Sequence, residues 1–260
     1  MVHFVGAGSG AVDLITIRGK KLLEEADVII YAGSLVNPAL LECAGKDCQI
    51  HNSAYLHLDE VIEIMKRAES QGLTTVRLHT GDPSVYGAVR EQMDRLKEAG
   101  IDYDICPGVS SFCGAAAALK AEYTLPNVSQ SVIITRMAGR TPVREQESMR
   151  SLAAHQATMV IFLSMGLLKE LTEELLAGGY CKDTPAAIVY KATWPEQKVL
   201  RCTVSELAAV AEEHHITKTA LVTVGYFLGD DYELSKLYDA EFTTEFRNGN
   251  NNNGIHETGR

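Results

Sequence analysis

No apolar run in this 260-residue chain is long enough to cross a bilayer, and residues 1–5 are too short a leader before they pass into a glycine-rich turn. A cytoplasmic protein without a membrane segment is therefore expected. Positive charge is also scarce: 24 Lys and Arg stand against 34 Asp and Glu, a net charge of −10. Nonspecific binding of DNA or RNA rests on basic patches and is not expected, whereas a small anionic substrate stays open. The six cysteines (Cys43, Cys48, Cys106, Cys113, Cys181, Cys202) include no C-x-x-C pair and match no histidine spacing, which argues against a zinc site, any other metal site or a disulfide framework. Cys106 and Cys113 sit in apolar surroundings and read as inert buried thiols.

What is present is a 46% apolar composition, enough for a substantial core, and an alternation of strand and helix signals. Strands are predicted at 2–5, 28–32, 74–78 and 102–106, with helices at 16–26, 59–71, 85–99 and 110–119. This order predicts an α/β fold with a mostly parallel sheet and helices on its faces. The polar, proline-containing stretch AEYTLPNVS then breaks the pattern. A first domain over 1–120, a linker over 121–130 and a second domain over 131–247 are expected, both αβα, with the active site in the cleft between them. In the second domain, strands are predicted at 131–136, 158–163, 186–192, 198–204 and 220–227, with helices at 145–155, 167–177 and 205–213. Trp194-Pro195-Glu196 between two adjacent strands suggests an antiparallel hairpin, so the second sheet should be mixed. The asparagine tract makes 248–260 a disordered tail or a remnant of cloning.

The chemistry-bearing residues gather where strands end. LHTGDPSVYG puts Gly, Asp and Pro directly after an apolar strand, and in open α/β sheets small molecules bind beyond the carboxyl ends of strands. His79 and Asp82 share this loop and could act as a proton-transfer pair, as substrate contacts, or merely as local hydrogen-bonding groups. VGAGSGA formally fits a dinucleotide-binding fingerprint. However, the second strand ends Tyr31-Ala32-Gly33-Ser34 with no acid for a ribose, and Asp13-Leu14-Ile15-Thr16 delays the helix. A Rossmann oxidoreductase using NAD is thus an alternative with one support, and a tight turn that merely needs glycine is another. PGVSS opens an alanine-rich helix whose free amides and hydroxyls suit an anion, while Ser110 could simply cap it. No G-x-S-x-G is present, so a serine hydrolase has little basis. Arg136, Arg140 and Arg144 form a basic loop, and with Lys191 they are the candidates for carboxylate recognition in an acidic chain, against the plain reading of a solvated loop.

Taken together, VGAGSGAVDLITIRG, YAGSLVNP, LHTGDPSVYGA, PGVSSF, TLPNVSQSVIITR with GRTPV, ATMVIFLS and VYKATWP resemble the tetrapyrrole methylase family from residue 2 to about 247. The YAGSLVNP, GRTPV and YKATWP segments resemble its branch that methylates a corrin ring carbon on the way to cobalamin, rather than a methylase acting on uroporphyrinogen III. The resemblance implies a homodimer of two-domain subunits that binds S-adenosylmethionine in the cleft, releases S-adenosylhomocysteine, and takes a tetrapyrrole as its small-molecule substrate. By motif it assigns cofactor contacts to Ser9, to Thr80, Gly81, Asp82 and Val85, to Ser110 and Ser111, and to Leu163, Ala192 and Ala220. The family's first turn usually reads GAGPGD; here Ser9 replaces the proline and Ala11 the aspartate.

Overall fold

The computed structural model describes residues 1–250, so most of the expected tail, 251–260, lies outside the described residues. Strands β1 (Val2–Gly6), β2 (Val28–Tyr31), β3 (Gln49–Asn52), β4 (Thr75–His79) and β5 (Tyr103–Cys106) form a sheet in the order β3-β2-β4-β1-β5, with every neighbouring pair parallel. The central strands β1, β2 and β4 are buried on both faces, as parallel strands covered by helices are, and are largely apolar. Helix α1 (Ile17–Glu25) lies over Val5, Ile29, Val76 and Leu78. Helices α2 (Leu58–Ser70) and α3 (Arg90–Glu98) lie over Val2, Phe4, Val28 and Ile30. The Thr16 hydroxyl starts α1 by accepting from the Gly19 amide at 3.0 Å, and a reciprocal His57–Glu60 capping box starts α2.

After α4 (Ser111–Leu119) come β6 (Val132–Arg136), α5 (Met149–Ala153), β7 (Thr158–Phe162), α6 (Leu168–Ala177), β8 (Pro185–Tyr190), β9 (Lys198–Thr203), α7 (Leu207–Glu213) and β10 (Ala220–Val224). The second sheet runs β6-β7-β10-β8-β9; only β6 and β7 are parallel, and β8 and β9 form the expected hairpin. Helices α5, α6 and α7 cover one face around Met159, Ile161, Ile188 and Val222. The other face, with Val160, Phe162, Ala187 and Val189, is covered by Ala115 and Leu119 of α4. A helix that leaves the first sheet therefore packs on the second, which fixes the ends of the two sheets against each other.

Three readings of secondary structure and one of burial are corrected. The helix expected over 85–99 starts only at Arg90, because Tyr86 and Ala88 take left-handed backbone (φ 55° and 50°) and break the helical run. The helix expected over 145–155 is the short α5, preceded by a 3₁₀ turn at Glu145–Glu147 and capped by the Ser148 hydroxyl. β3 was not expected: it is an edge strand with little burial, so it carries no alternating apolar signal. Cys113 is exposed on α4, whereas Cys106 is buried as expected.

Candidate functional site

The loops that leave β1, β4 and β5 interlock through their backbones. The Ala7 amide donates to the His79 carbonyl at 2.7 Å, and Gly8 and Gly81 exchange amide-to-carbonyl bonds at 3.2 and 2.9 Å. Glycine is needed where they cross. A Cβ on Gly6 would lie 2.6 Å from both the Gly108 Cα and the Gly81 carbonyl oxygen, and a Cβ on Gly108 would lie 2.2 Å from that same oxygen. Asp82 ties the knot. One carboxylate oxygen accepts from the Gly108 amide at 2.8 Å, and the other accepts from the Ser84 amide at 2.9 Å and from the Ser84 hydroxyl. Burial alone would raise its pKa, but these three hydrogen bonds favour the anion and hold it below the usual value.

The second sheet supplies the opposite wall. Thr193 Oγ1 accepts from the Ala11 amide at 3.0 Å and shares a 3.1 Å hydrogen bond with Ser9 Oγ, while the Trp194 indole packs where a side chain on Gly10 would stand. Between the walls lies a cavity of about 610 Å³, within the size range of sites for small ligands. Several lining residues have left-handed backbone without being glycine: Tyr86, Ala88, Leu163, Lys191 and Thr219. Strain of this kind collects at functional sites. Leu163 is 68% exposed at the end of β7, an unusual position for a leucine. Two lining residues also hold buried polar atoms with no hydrogen-bond partner among the described residues, Thr80 Oγ1 and His79 Nε2. Burial of this kind is costly unless something else supplies the partner.

Comparison with known proteins gives the family. Residues 1–208 match the family model of tetrapyrrole (corrin/porphyrin) methylases. The chain belongs to this family. A cobalt-precorrin-4 C(11)-methyltransferase of Methanocaldococcus jannaschii is 53% identical over 95% of both chains. A precorrin-4 C(11)-methyltransferase of Pseudomonas aeruginosa is 43% identical over 95% of this chain and 99% of its own. The X-ray structure of a cobalamin biosynthetic enzyme, the cobalt precorrin-4 methyltransferase CbiF, superposes with a TM-score of 0.86 at 44% identity, covering 88% of this chain and 96% of that one.

In this methylase the residues assigned by motif come together. Ser9, Thr80, Gly81, Asp82 and Val85 line the cavity from the first two loops, Ser110 and Ser111 from the third, and Leu163, Ala192 and Ala220 from the second sheet. Ser110 stands at the N-cap of α4, yet its hydroxyl makes no capping bond. The Rossmann alternative loses its one support. The glycine turn is followed by a 3₁₀ turn at Val12–Leu14, and α1 opens only at Ile17, so α1 does not open within the glycines as that fingerprint requires.

Of the readings open for His79 and Asp82, direct pairing with one another is not seen. His79 and Asp82 share no hydrogen bond, since the Asp82 carboxylate is engaged by Ser84 and Gly108. His79 is 4% exposed, and burial with the nearby Arg77 charge pulls its pKa down to about 3. It is therefore neutral and a poor base at neutral pH.

The basic loop lies outside the cavity lining. Arg136 spends its guanidinium on its own loop, donating to the Met137 and Thr141 carbonyls at 3.1 Å each and to the Pro142 carbonyl at 3.2 Å. Arg140 and Arg144 are exposed, and none of the three lines the cavity. Lys191 does line it, 2.9 Å from Glu196 and with its ammonium 5.1 Å from the centre of the Trp194 ring. Sequence reasoning missed Arg77, Trp194 and the α3 residues Glu91 and Gln92, which also line the cavity. For Arg77 the signal was available: a charged residue inside an otherwise apolar strand.

Proposed function

We propose that this chain transfers a methyl group from S-adenosylmethionine to C11 of precorrin-4 or its cobalt-bearing form, in cobalamin biosynthesis. The observation that carries this reading is the near end-to-end identity with the M. jannaschii enzyme, 53% over 95% of both chains. The cavity fits the cofactor on its own terms: Thr80 Oγ1 and His79 Nε2 are buried without partners, and the glycine crossing leaves backbone rather than side chains at its wall. On this reading Ser9, Thr80, Gly81, Asp82, Val85, Ser110, Ser111, Leu163, Ala192 and Ala220 hold S-adenosylmethionine. When bound, the cofactor supplies a methyl group on a positively charged sulfonium, which loses its charge as the methyl moves to carbon.

The chain's own task is alignment. Two walls joined by the Ser9–Thr193 hydrogen bond and by Trp194 against Gly10 keep the cavity's two sides in register. Fixed juxtaposition of donor and acceptor can remove roughly 7–11 kcal/mol of barrier at the favourable limit. The lining residues Gly81 and Ala192 bring backbone and no charged side chain to the cavity wall, and an environment that solvates a cation poorly favours a step in which charge disappears. Asp82 acts by holding the β4 and β5 loops together. His79, kept neutral, offers a hydrogen bond for orienting a ligand rather than a store for a proton. Lys191 is the residue of the original basic set left to meet a substrate carboxylate.

Among the described residues, no helix is long and apolar enough to cross a membrane. The family resemblance supports a cytoplasmic homodimer, and light scattering on the purified chain, expected to give twice the mass of one subunit, tests the dimer.

Calorimetric titration separates the leading readings: S-adenosylhomocysteine is expected to bind and NAD not to, and the opposite pattern would overturn the proposal. Incubation with metal-free and cobalt-bearing precorrin-4, followed by mass spectrometry and NMR location of the new methyl, then identifies the acceptor. Thr80→Val is a sharper probe of the orphan hydroxyl, because it keeps shape while removing an unpartnered buried polar atom. Its melting temperature should hold or rise, and its affinity for S-adenosylhomocysteine should fall by about tenfold. An unchanged affinity would remove Thr80 from the binding set.

A further inference from the structure

The α2/α3 face of the first sheet carries an anomaly. Residues alternate sides along a strand, so Thr75, Arg77 and His79 of β4 point to one face, the one that β1 and β2 line with Val2, Phe4, Val28 and Ile30. Contacts agree with this. The Arg77 guanidinium donates from Nε to Gln92 Oε1 of α3 and from Nη1 to the Ile30 carbonyl, each at 3.1 Å, and the His79 ring stacks on Phe4 with centroids 6.1 Å apart. Arg77 is only 6% exposed, yet no carboxylate pairs with it and its Nη2 makes no hydrogen bond among the described residues. Both Arg77 and His79 line the cavity, and His79 Nε2 is buried without a partner. A buried cation with no counter-ion is costly, and the usual resolution is a carboxylate held by charge-assisted hydrogen bonds.

We propose that Arg77 and His79 form a carboxylate-binding subsite on the floor of the cavity, with Arg77 Nη2 and the Nε2–H tautomer of His79 as its donors. Gln92 is the positioning residue, because its side-chain oxygen fixes the guanidinium and its amide in turn donates to the Ala88 carbonyl at 3.0 Å. A neutral amide at position 92 holds Arg77 without cancelling its charge. The other acids that line the cavity do not compete: Asp82 is engaged by Ser84 and Gly108, and Glu91 makes no ion pair with Arg77. The subsite rests on the reading of the cavity as the meeting place of a methyl donor and a tetrapyrrole, and both ligands carry carboxylates. The shared chemistry is the carboxylate; its source is a ring side chain or the aminoacyl end of the cofactor.

Two variants of the full chain test it, each with a thermal melt, quenching by uroporphyrin III as a stable polycarboxylate macrocycle, and calorimetry with S-adenosylhomocysteine. Arg77→Gln removes the cation. Gln92→Glu is nearly isosteric and places an internal carboxylate 3.1 Å from Arg77 Nε; it gives up the amide's bond to the Ala88 carbonyl but gains an ion pair with Arg77, and the thermal melt reads whether the fold is kept while the charge is occupied. A loss of about tenfold or more in macrocycle affinity with the cofactor product unaffected assigns a ring carboxylate to the subsite; the converse assigns the aminoacyl carboxylate. If Arg77→Gln does not fold, Gln92→Glu decides alone. If folded Gln92→Glu binds both ligands within about twofold of the parent, the subsite is refuted while the methylase reading stands. A parent protein that binds neither ligand refutes both.

Discussion

Gly108→Ala is expected to lower the melting temperature by about 6–12 °C and to weaken S-adenosylhomocysteine binding at least tenfold. The added methyl would stand 2.2 Å from the Gly81 carbonyl oxygen and 2.8 Å from the Gly6 Cα. Overpacked cores usually lose about 1–3 kcal/mol because side chains can yield. Here the obstacles are backbone atoms of two other loops, so the cost should fall at the upper end, about 3 kcal/mol. Relief comes only by parting the loops, which moves Thr80 and Asp82 away from Ser110 and opens the wall that the cofactor is proposed to meet. Gly72→Ala is the control. Gly72 has φ +71° but open space around it, so alanine there costs about 1 kcal/mol of backbone strain and leaves binding intact. Equal melting and binding in Gly108→Ala and the parent would show that the crossing is looser than these contacts require.

The same crossing explains what could be read from the amino acids alone. GDP after β4 and PGVSS after β5 are local punctuation, a strand end followed by residues that permit close backbone approach, and their place on the cavity follows from chain order in a parallel sheet. The residues of the second sheet, Leu163, Ala192 and Ala220, carry no such signal; they are small or apolar, and only the family resemblance pointed to them. The basic loop could not be placed, because composition tells how much charge a segment has but not where it points. Arg136 turned out to satisfy three carbonyls of its own loop. The helix expected from Val85 failed for a related reason: Val85, Val89, Met93 and Leu96 keep helical spacing, but the left-handed Tyr86 and Ala88 turn the first of these out of the helix and onto the cavity. Tertiary contact, with the Tyr86 ring 5.4 Å from that of Phe162 across the two sheets, prevails there over periodicity. Likewise, nothing in the run SFCGAAAAL tells which sheet α4 will cover; the pairing of Ala115 and Leu119 with Val160 and Val189 is visible only in three dimensions.

Acid should destabilise this methylase well before its carboxylates titrate, and His79 is the reason. In the unfolded chain its imidazole takes a proton near pH 6.5, whereas in the fold burial and the Arg77 charge hold the pKa at about 3. Between those values the unfolded state binds the extra proton, so stability rises with pH across the window. The contribution is complete above pH 6.5 and is lost progressively as the pH falls towards 3, at about 1.4 kcal/mol per pH unit, or about 2 kcal/mol by pH 5. Asp82 acts with its own sign in a lower window. Its depressed pKa gives stability that is present above the ordinary carboxylate value and is lost as the pH falls through the folded one, so it does not contribute to the slope between pH 5 and 7. Urea unfolding of the parent and of His79→Gln at pH 5, 6 and 7 reads the effect directly: the glutamine variant should show a slope about 1.4 kcal/mol per unit shallower between pH 5 and 6. Parallel slopes would mean that His79 is protonated in the fold, and a charged His79 beside Arg77 could then serve the reaction as an acid. A neutral imidazole leaves methyl transfer to geometry, with a hydrogen bond as the one thing His79 supplies.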